Sequence, residues 1–199
     1  MMSKVHPVNM FVTPLRDNKR QELLDSAAQH FAMYGYDRAA LRDIATTVGM
    51  KAGSIYYYFS SKEGWLVAVH EEGIRRISIS VKKSLKRGQD PWKRLEAAMI
   101  AHLEALLGGG NYVWVVIKNP PQPVALAGPR LIKLRDDYER IFVNLISTLP
   151  LFSPLAKKFV RLMILGAMNS TPTWYSAGGD EPEEIAKAFV QVLRYGETP

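Results

Sequence analysis

Apolar residues recur at helical spacing along most of the chain. Between residues 19 and 36, Leu23, Ala27 and Phe31 occupy positions i, i+4 and i+8, which lie on one face of an α-helix. Gly35 follows the last turn and is placed to end this helix in a left-handed conformation. The segment therefore predicts a first amphipathic helix with a glycine stop.

Two shorter helices follow it. In ALRDIATTVGM an apolar face of Leu41, Ile44 and Ala45 predicts a helix that Gly49 ends. A third helix is predicted two or three residues later, inside KAGSIYYYFSSKEGW (51–65). Two short helices separated by a glycine-containing turn of a few residues are typical of the helix-turn-helix motif.

The remaining periodic segments also predict helices. Ser60 and Glu63 form a capping box for a long helix, and Asp90 followed by proline begins the next one. Further helices are predicted over 112–118, over 130–149, from Ser153 onward and after EPEE (181–184), whereas NPPQPVALAGP (119–129) is predicted to be a loop. The sequence thus predicts an all-α fold of about nine helices.

Composition restricts the function. The chain of 199 residues contains no cysteine, which excludes disulfides, thiolate metal sites and thiol catalysis. No apolar run approaches the roughly 20 residues that cross a bilayer, and residues 1–16 lack the continuous apolar core of a signal peptide. We therefore expect a flexible tail over 1–16 and a cytoplasmic protein without membrane association.

The net charge of +7 is concentrated in the first half of the chain. Residues 64–94 carry eight Lys and Arg against three Asp and Glu, whereas residues 95–199 carry ten of each. The basic cluster at 75–87 is consistent with a polyanionic partner, but a solvated helix face explains it equally well.

Catalytic chemistry has little support. The four histidines are scattered, and no zinc-protease, nucleophile-elbow, P-loop or dinucleotide motif occurs. His70 and His102 lie on apolar stripes, where a core histidine with satisfied hydrogen bonds is the expected role. We predict no catalytic residue, no metal site and no cofactor.

The aromatic run inside residues 51–65 divides by helical angle. At 100° per residue, one side carries Ile55, Phe59, Tyr58 and Ala52. The other side carries Gly53, Ser54, Tyr56 and Tyr57. The first set can anchor the helix on its own domain, while the second, with two small residues, can approach the DNA major groove closely.

With these residues identified, residues 17–70 resemble the N-terminal domain of the TetR family of transcriptional repressors. The similarity lies in Leu24, Ala27, Ala28, Phe31, Gly35, Tyr36, Ile44, Ala45, Gly49, Gly53, Ile55, Tyr56, Phe59, Ser61, Lys62 and Glu63. The resemblance implies a helix-turn-helix DNA-binding domain over 17–63 and a helical ligand-binding and dimerisation domain over 64–199. It further implies a homodimer that a bound ligand releases from its operator.

Positions carried over from the family suggest the DNA contacts. They are Arg42, Ala52, Gly53, Tyr56, Tyr57 and Lys62, with Tyr56 and Lys62 as phosphate anchors. The helical angle adds Ser54, and Lys51 adds a candidate phosphate or guanine contact of its own. The chain departs from the family pattern in three places: Ala40-Leu41 replaces a capping residue, Lys51 replaces Ser or Thr, and Gly64 replaces a helix former.

The C-terminal half resembles, more weakly, a subgroup of these repressors that responds to acyl-CoA thioesters. The candidate pocket residues are Met99, His102, Leu103, Trp114, Ile117, Phe142, Ile146 and Trp174. The candidate dimer residues are Phe159, Leu162, Met163, Ile185, Phe189 and Val192. The sequence therefore predicts a repressor that binds a palindromic double-stranded operator and releases it for a hydrophobic effector, with an acyl-CoA as one candidate. An activator of the same fold, or a helical small-molecule-binding protein or enzyme without a DNA function, remain alternatives.

Overall fold

The computed structural model describes residues 14–88, 90–118, 128–150 and 153–195. Within these ranges every regular element is a helix, as the sequence predicts. The α-helices are α1 Pro14–Tyr34, α2 Leu41–Thr47, α3 Lys62–Ser84, α4 Pro91–Gly108, α5 Gly110–Lys118, α6 Gly128–Ser147, α7 Pro154–Ser170 and α8 Pro182–Tyr195. Two 3₁₀ helices, Ala52–Tyr57 and Thr171–Thr173, precede α3 and follow α7.

Three predicted boundaries need comment. The tail predicted over 1–16 lies outside the described residues up to residue 13, but α1 already begins at Pro14. Most of the predicted loop at 119–129 also lies outside them, whereas its last two residues belong to α6. The apolar run at 112–118 is helical in α5, which confirms that prediction.

Side-chain caps fix where several helices begin. The Ser61 hydroxyl caps α3 by accepting a hydrogen bond from the Gly64 N–H at 3.1 Å, so the predicted Ser60 cap is wrong by one residue. Ser61 has the extended backbone that a cap requires, and α3 begins directly after it. Asp90 and Ser153 cap α4 and α7, in agreement with the sequence prediction.

Two hydrophobic cores meet along α3. The first is built from α1, α2, the first 3₁₀ helix and the first turns of α3, and it is completed by residues of α5 and α6. The second joins the later turns of α3 to α4, α6, α7 and α8. Trp65 and Leu66 belong to the first core and Ile77 and Val81 to the second. The predicted domain boundary between residues 63 and 64 therefore lies within the first turn of one continuous helix.

A sharp bend between α4 and α5 places α5 against both cores. The two helix axes turn by 104° at the glycines that separate them. A Cβ at Gly109 would lie 2.1 Å from the Ala105 carbonyl oxygen and 2.2 Å from Val113 Cγ2, so this position accepts only glycine. The bend carries α5 across α1 and α3, beside the site described below.

No single helix of the described residues combines the length and the apolar composition that a membrane span requires; α4 and α5 meet that test only when they are joined across their bend.

Candidate functional site

Polar contacts hold α2 on the surface of α1. The buried Ser26 hydroxyl donates to the Ile44 carbonyl oxygen at 3.3 Å. Lys19 Nζ donates to the carbonyl oxygen of Val48 at 2.9 Å, which satisfies an acceptor at the end of α2. The N-terminus of α2 has no side-chain cap, because Ala40 stands at the capping position, as the sequence indicates. These contacts fix the angle at which α2 leads into the following turn.

The turn is followed by a short 3₁₀ helix, Ala52–Tyr57, where we expected an α-helix. Gly49 has φ of 68°, so it ends α2 in the left-handed region, as predicted. The Ser54 N–H donates to the Lys51 carbonyl oxygen at 2.9 Å, and the Tyr58 N–H donates to the Ile55 carbonyl oxygen at 2.9 Å. These i to i+3 bonds define a tighter helix, of a kind that is common in short segments.

One side of this 3₁₀ helix is anchored in the first core. Ile55 and Phe59 are buried, and the Phe59 ring lies 4.4 Å from the Trp65 ring between centroids. The Arg20 guanidinium lies 4.9 Å from the Phe59 ring centroid on the outer side. Ala52, which the helical angle places with the anchors, is exposed because it is the first residue of the helix, one turn before the buried Ile55.

The opposite side forms an exposed surface. We call Arg42, Lys51, Ala52, Gly53, Ser54, Tyr56 and Tyr57 the reading surface; all seven are exposed. Tyr56 and Tyr57 have 55% and 67% of their surface accessible, although aromatic side chains are usually more covered. Six of the eight residues predicted to contact DNA thus lie in or directly before the 3₁₀ helix, and the seventh, Arg42, is on α2, which packs against it.

Lys62, the eighth, has an additional contact within the protein. Its Nζ donates to the Asp37 carbonyl at 3.0 Å and lies 4.8 Å from the centroid of the Tyr36 ring. Burial and the neighbouring Glu63 carboxylate raise the pKa of Tyr36 to about 12. Since an ammonium group has three N–H donors, Lys62 can brace the loop after α1 and still reach outward.

A cavity of about 320 Å³ lies among α3, α4, α5, α6 and α7. Its wall consists of His70, Ile74, Ile77, His102, Leu106, Val116, Ile117, Leu131, Arg135, Tyr138, Glu139, Leu165 and Asn169. Of the predicted pocket residues, His102 and Ile117 are in this wall. The volume falls at the lower end of the range for small-molecule sites.

The other predicted pocket residues lie elsewhere. Met99, Leu103, Phe142 and Ile146 are fully buried core residues, and Trp114 and Trp174 are partly exposed to solvent. On α4, His102 and Leu106 are one turn apart and share the cavity face, while Met99 and Leu103 lie on the neighbouring core face. An apolar stripe marks both faces alike, so periodicity could not separate them.

The sequence prediction also missed much of the wall. His70, Ile74 and Ile77 are spaced at i, i+4 and i+7 on α3, and Leu131, Arg135 and Tyr138 repeat this spacing on α6. Both stripes mix polar with apolar residues. A polar residue within an otherwise apolar helix face could therefore have indicated the cavity wall from the sequence.

The two cavity histidines are buried and lack full hydrogen bonding. His70 and His102 are 3% and 2% exposed, and burial lowers the pKa of each to about 4. The Nε2 atom of each is buried without a hydrogen-bond partner among the described residues. His102 Nδ1 lies 2.5 Å from the Tyr138 hydroxyl, and a side-chain hydrogen bond with Asn169 partly offsets the effect of burial on the pKa of His102. Both histidines are buried, as expected, but their hydrogen bonding is incomplete at Nε2.

Charged residues at the cavity wall are already paired. Glu139 forms an ion pair with Arg161, and Arg135 Nε lies 3.5 Å from a Glu139 oxygen. Arg135 also donates to Asp136 at 2.9 Å. Arginines and carboxylates therefore balance at this wall, and it carries no excess charge.

Helix α5 joins this cavity to α1. Val116 and Ile117 are in the cavity wall, whereas the buried Tyr112, one turn earlier, packs in the first core. The Tyr112 hydroxyl donates to an Asp25 carboxylate oxygen at 2.7 Å and accepts from Gln21 Nε2 at 3.1 Å. Both partners are on α1, so one short helix contacts the cavity and the helix that supports the reading surface.

An apolar face remains open on α7 and α8. Phe159, Leu162, Met163 and Val192 are between 46% and 58% exposed. A groove of about 280 Å³ between the two helices is lined by Met163, Ile164, Ala167, Phe189, Val192 and Leu193. Ile185, predicted with this face, is instead buried in the second core because it points from α8 toward the helix bundle.

Comparison with known proteins identifies both halves of the chain. The family of bacterial regulatory proteins named tetR matches residues 23–69, and the tetracyclin repressor-like C-terminal domain matches residues 88–196. The HTH-type transcriptional repressor KstR2 of Rhodococcus jostii is 32% identical over 193 residues, covering 91% of this chain and 92% of that protein. The repressors Rv1474c of Mycobacterium tuberculosis and AcnR of Corynebacterium diphtheriae match over 60 residues only, so the chain spans 32% of the length of each.

Solved structures share the fold. FadR of Bacillus subtilis in complex with stearoyl-CoA has a TM-score of 0.76 at 21% identity, covering 89% of this chain and 99% of that one. AibR in complex with isovaleryl coenzyme A and operator DNA has a TM-score of 0.76 at 19% identity, covering 87% and 97%. With a helix-turn-helix half and a C-terminal half that each match, and with a relative aligned over nearly its whole length, this chain belongs to the TetR family of bacterial transcriptional regulators.

Proposed function

We propose that this protein is a ligand-responsive repressor that binds a palindromic operator as a homodimer. The observation that carries the proposal is the reading surface, where two tyrosines and Lys51 are exposed on a short helix whose other side is packed in a core. Aromatic residues exposed on a well-anchored helix favour a partner outside the protein. The basic charge of the first half of the chain suits the phosphate backbone.

The apolar face on α7 and α8 supports a dimer. Its four exposed large side chains and the apolar groove beside them form a surface that a second copy would cover. A twofold dimer presents two reading surfaces related by the same symmetry as a palindrome, so one operator half-site would meet each copy.

The cavity supports a small effector with a largely apolar enclosed part. Seven of its thirteen wall residues are aliphatic. FadR and AibR, which share the fold, are named in complex with acyl-CoA thioesters, so an acyl-CoA is our candidate class. A cavity of about 320 Å³ can enclose an acyl group but not the coenzyme, which would lie outside it.

Footprinting on the DNA that flanks the protein's own gene tests the proposal directly. We expect two protected half-sites related by twofold symmetry at moderate salt, and loss of protection when the effective acyl-CoA of a chain-length panel is added. If no DNA is protected at protein concentrations at which the protein is fully dimeric, the DNA function is refuted and the alternative of a small-molecule-binding protein is favoured. Protection combined with increased transcription would instead indicate an activator.

Matched variants distinguish contacts of the reading surface with DNA from a nonspecific effect of net charge on DNA affinity. We expect Lys51→Ala to weaken operator binding and to reduce the slope of log affinity against log salt by about 1. Tyr57→Ala should weaken binding and also change the preference among operator sequences. Lys133→Ala is the control, because this exposed lysine on α6 loses the same charge away from the reading surface. Equal effects of Lys51→Ala and Lys133→Ala would contradict the assigned surface.

A further inference from the structure

Two buried histidines, each with an Nε2 atom that lacks a hydrogen-bond partner among the described residues, line one cavity. His70 on α3 and His102 on α4 are both nearly inaccessible, and neither Nε2 has a partner among the described residues. A buried polar atom without a hydrogen bond costs about 1–3 kcal/mol. Both histidines line one cavity, so a molecule bound there can supply the missing partners once the rings turn toward it.

The histidines are neutral near pH 7. Burial holds the pKa of each near 4, so neither supplies a positive charge at that pH. Burial also raises the pKa of Tyr138, which therefore keeps its proton. When the Tyr138 hydroxyl donates to His102 Nδ1, the histidine proton resides on Nε2, which then becomes a hydrogen-bond donor. The opposite tautomer leaves Nε2 as an acceptor.

The same wall disfavours a carboxylate ligand. Arg135 is the one cation among the wall residues, and it is already engaged by Asp136 and Glu139. Glu139 is itself paired with Arg161, so the wall carries no excess positive charge. A carboxylate placed beside two neutral histidines would lose its hydration without gaining a free counterion.

We infer, on the basis of the proposed function, that the enclosed part of the ligand is an apolar group bearing a neutral oxygen, a ketone or a hydroxyl, bonded to His70 and His102. The cavity volume corresponds to about ten water molecules, and thus to a group of roughly ten to fifteen non-hydrogen atoms. Aliphatic residues from α3, α4, α5, α6 and α7 surround the remainder of that group. A plain saturated chain would leave both nitrogens unpaired.

Binding requires a small movement of the imidazole rings. Both Nε2 atoms are covered by protein in the ligand-free chain. The χ2 torsion of histidine is broad and roughly twofold, so a turn about χ2 can present Nε2 to the cavity. His70 has the greater freedom, because His102 is held by its bond to Tyr138.

Calorimetric titration of the full chain, without DNA, tests the inference. The probes are methyl octyl ketone, decanol and decanoate, which have similar length and differ in the oxygen group. We expect the ketone, the alcohol or both to bind at least about tenfold tighter than decanoate at pH 7.5, a difference equivalent to one net hydrogen bond. Binding of decanoate equal to or tighter than that of both neutral probes, or no binding by any probe, would overturn the inference.

Variants of His70 provide the matched controls. His70→Leu should lower the affinity for the better neutral probe about tenfold and leave the affinity for decanoate unchanged. The melting temperature of this variant should stay equal or rise, because an unpaired polar atom is removed. His70→Gln, which retains hydrogen-bonding groups, should restore part of the affinity, and Ile77→Val should affect all probes alike. An unchanged preference in both His70 variants would contradict the assignment. Operator release by saturated acyl-CoAs in the footprinting assay would still support the proposed function in that case.

Discussion

Gly73 on α3 packs directly against α5, and its replacement should separate the two helices. A Cβ added at Gly73 would lie 2.8 Å from Val116 Cγ2 and 2.9 Å from the Tyr112 carbonyl oxygen. The backbone oxygen cannot rotate away, so α5 must shift. Overpacking of this kind costs about 1–3 kcal/mol, whereas alanine in place of a helical glycine gains about 1 kcal/mol. We therefore expect Gly73→Ala to lower the free energy of unfolding by about 1 kcal/mol.

Gly64→Ala on the same helix is the matched control. A Cβ at Gly64 would meet only the Ser61 hydroxyl oxygen, at an ordinary 3.7 Å, so the helix gain of up to about 1 kcal/mol is not offset. For a chain of this size the two variants should differ in melting temperature by about 4–8 °C, with the wild type between them. Urea unfolding and thermal melting both measure this difference. Equal stabilisation by the two substitutions would refute the close contact between α3 and α5.

Two further predictions concern buried polar groups. Tyr112→Phe removes a hydrogen bond to the exposed Asp25 carboxylate, and we expect a loss of about 1 kcal/mol; in a double-mutant cycle with Asp25→Ala, a coupling energy near zero would argue against that bond. The pKa values of His70 and His102 near 4 lie below the unfolded value of 6.5, so the unfolded chain binds more protons between these values and stability falls as the pH falls through this window. By about pH 5 the loss of unfolding free energy should approach 2 kcal/mol per histidine. In His70→Leu, the unfolding free energy measured with urea should therefore change with pH about half as steeply as in the wild type over this range.

The all-α architecture and the first core could be predicted from the sequence because short-range rules decide them. The spacing of Leu23, Ala27 and Phe31 fixes the buried face of α1, and all three are fully buried. Gly49 ends α2 because few other residues adopt its positive φ. The division of the tyrosine run also agrees with the structure at Ile55 and at Tyr57, since one buried aliphatic residue fixes the orientation of a short helix.

The cavity could not be predicted in the same way. Whether His102 or Met99 faces a cavity depends on the rotation of α4 against the four other helices that line it, and the apolar stripe of α4 is too broad to define that rotation. The wall also takes residues from α5, whose direction depends on the bend at Gly109. Since the bend arises from contacts between neighbouring turns, the sequence indicated a helix boundary but not the direction of the next helix.

The cavity and the first core share side chains, and this overlap determines how a ligand could act on DNA binding. Leu131 on α6 is buried in the first core and is also part of the cavity wall. Val116 and Ile117 follow directly after Val115, which is packed in the first core near α1. Protein interiors are close-packed. A bound group that enlarges the cavity must therefore displace these side chains, or prevent a conformation in which they fill the cavity. A ligand changes operator affinity only if it binds the two conformations with different free energies. We therefore expect the coupling to run through the contacts of α5 with α1, and to weaken when the Tyr112 hydroxyl is removed.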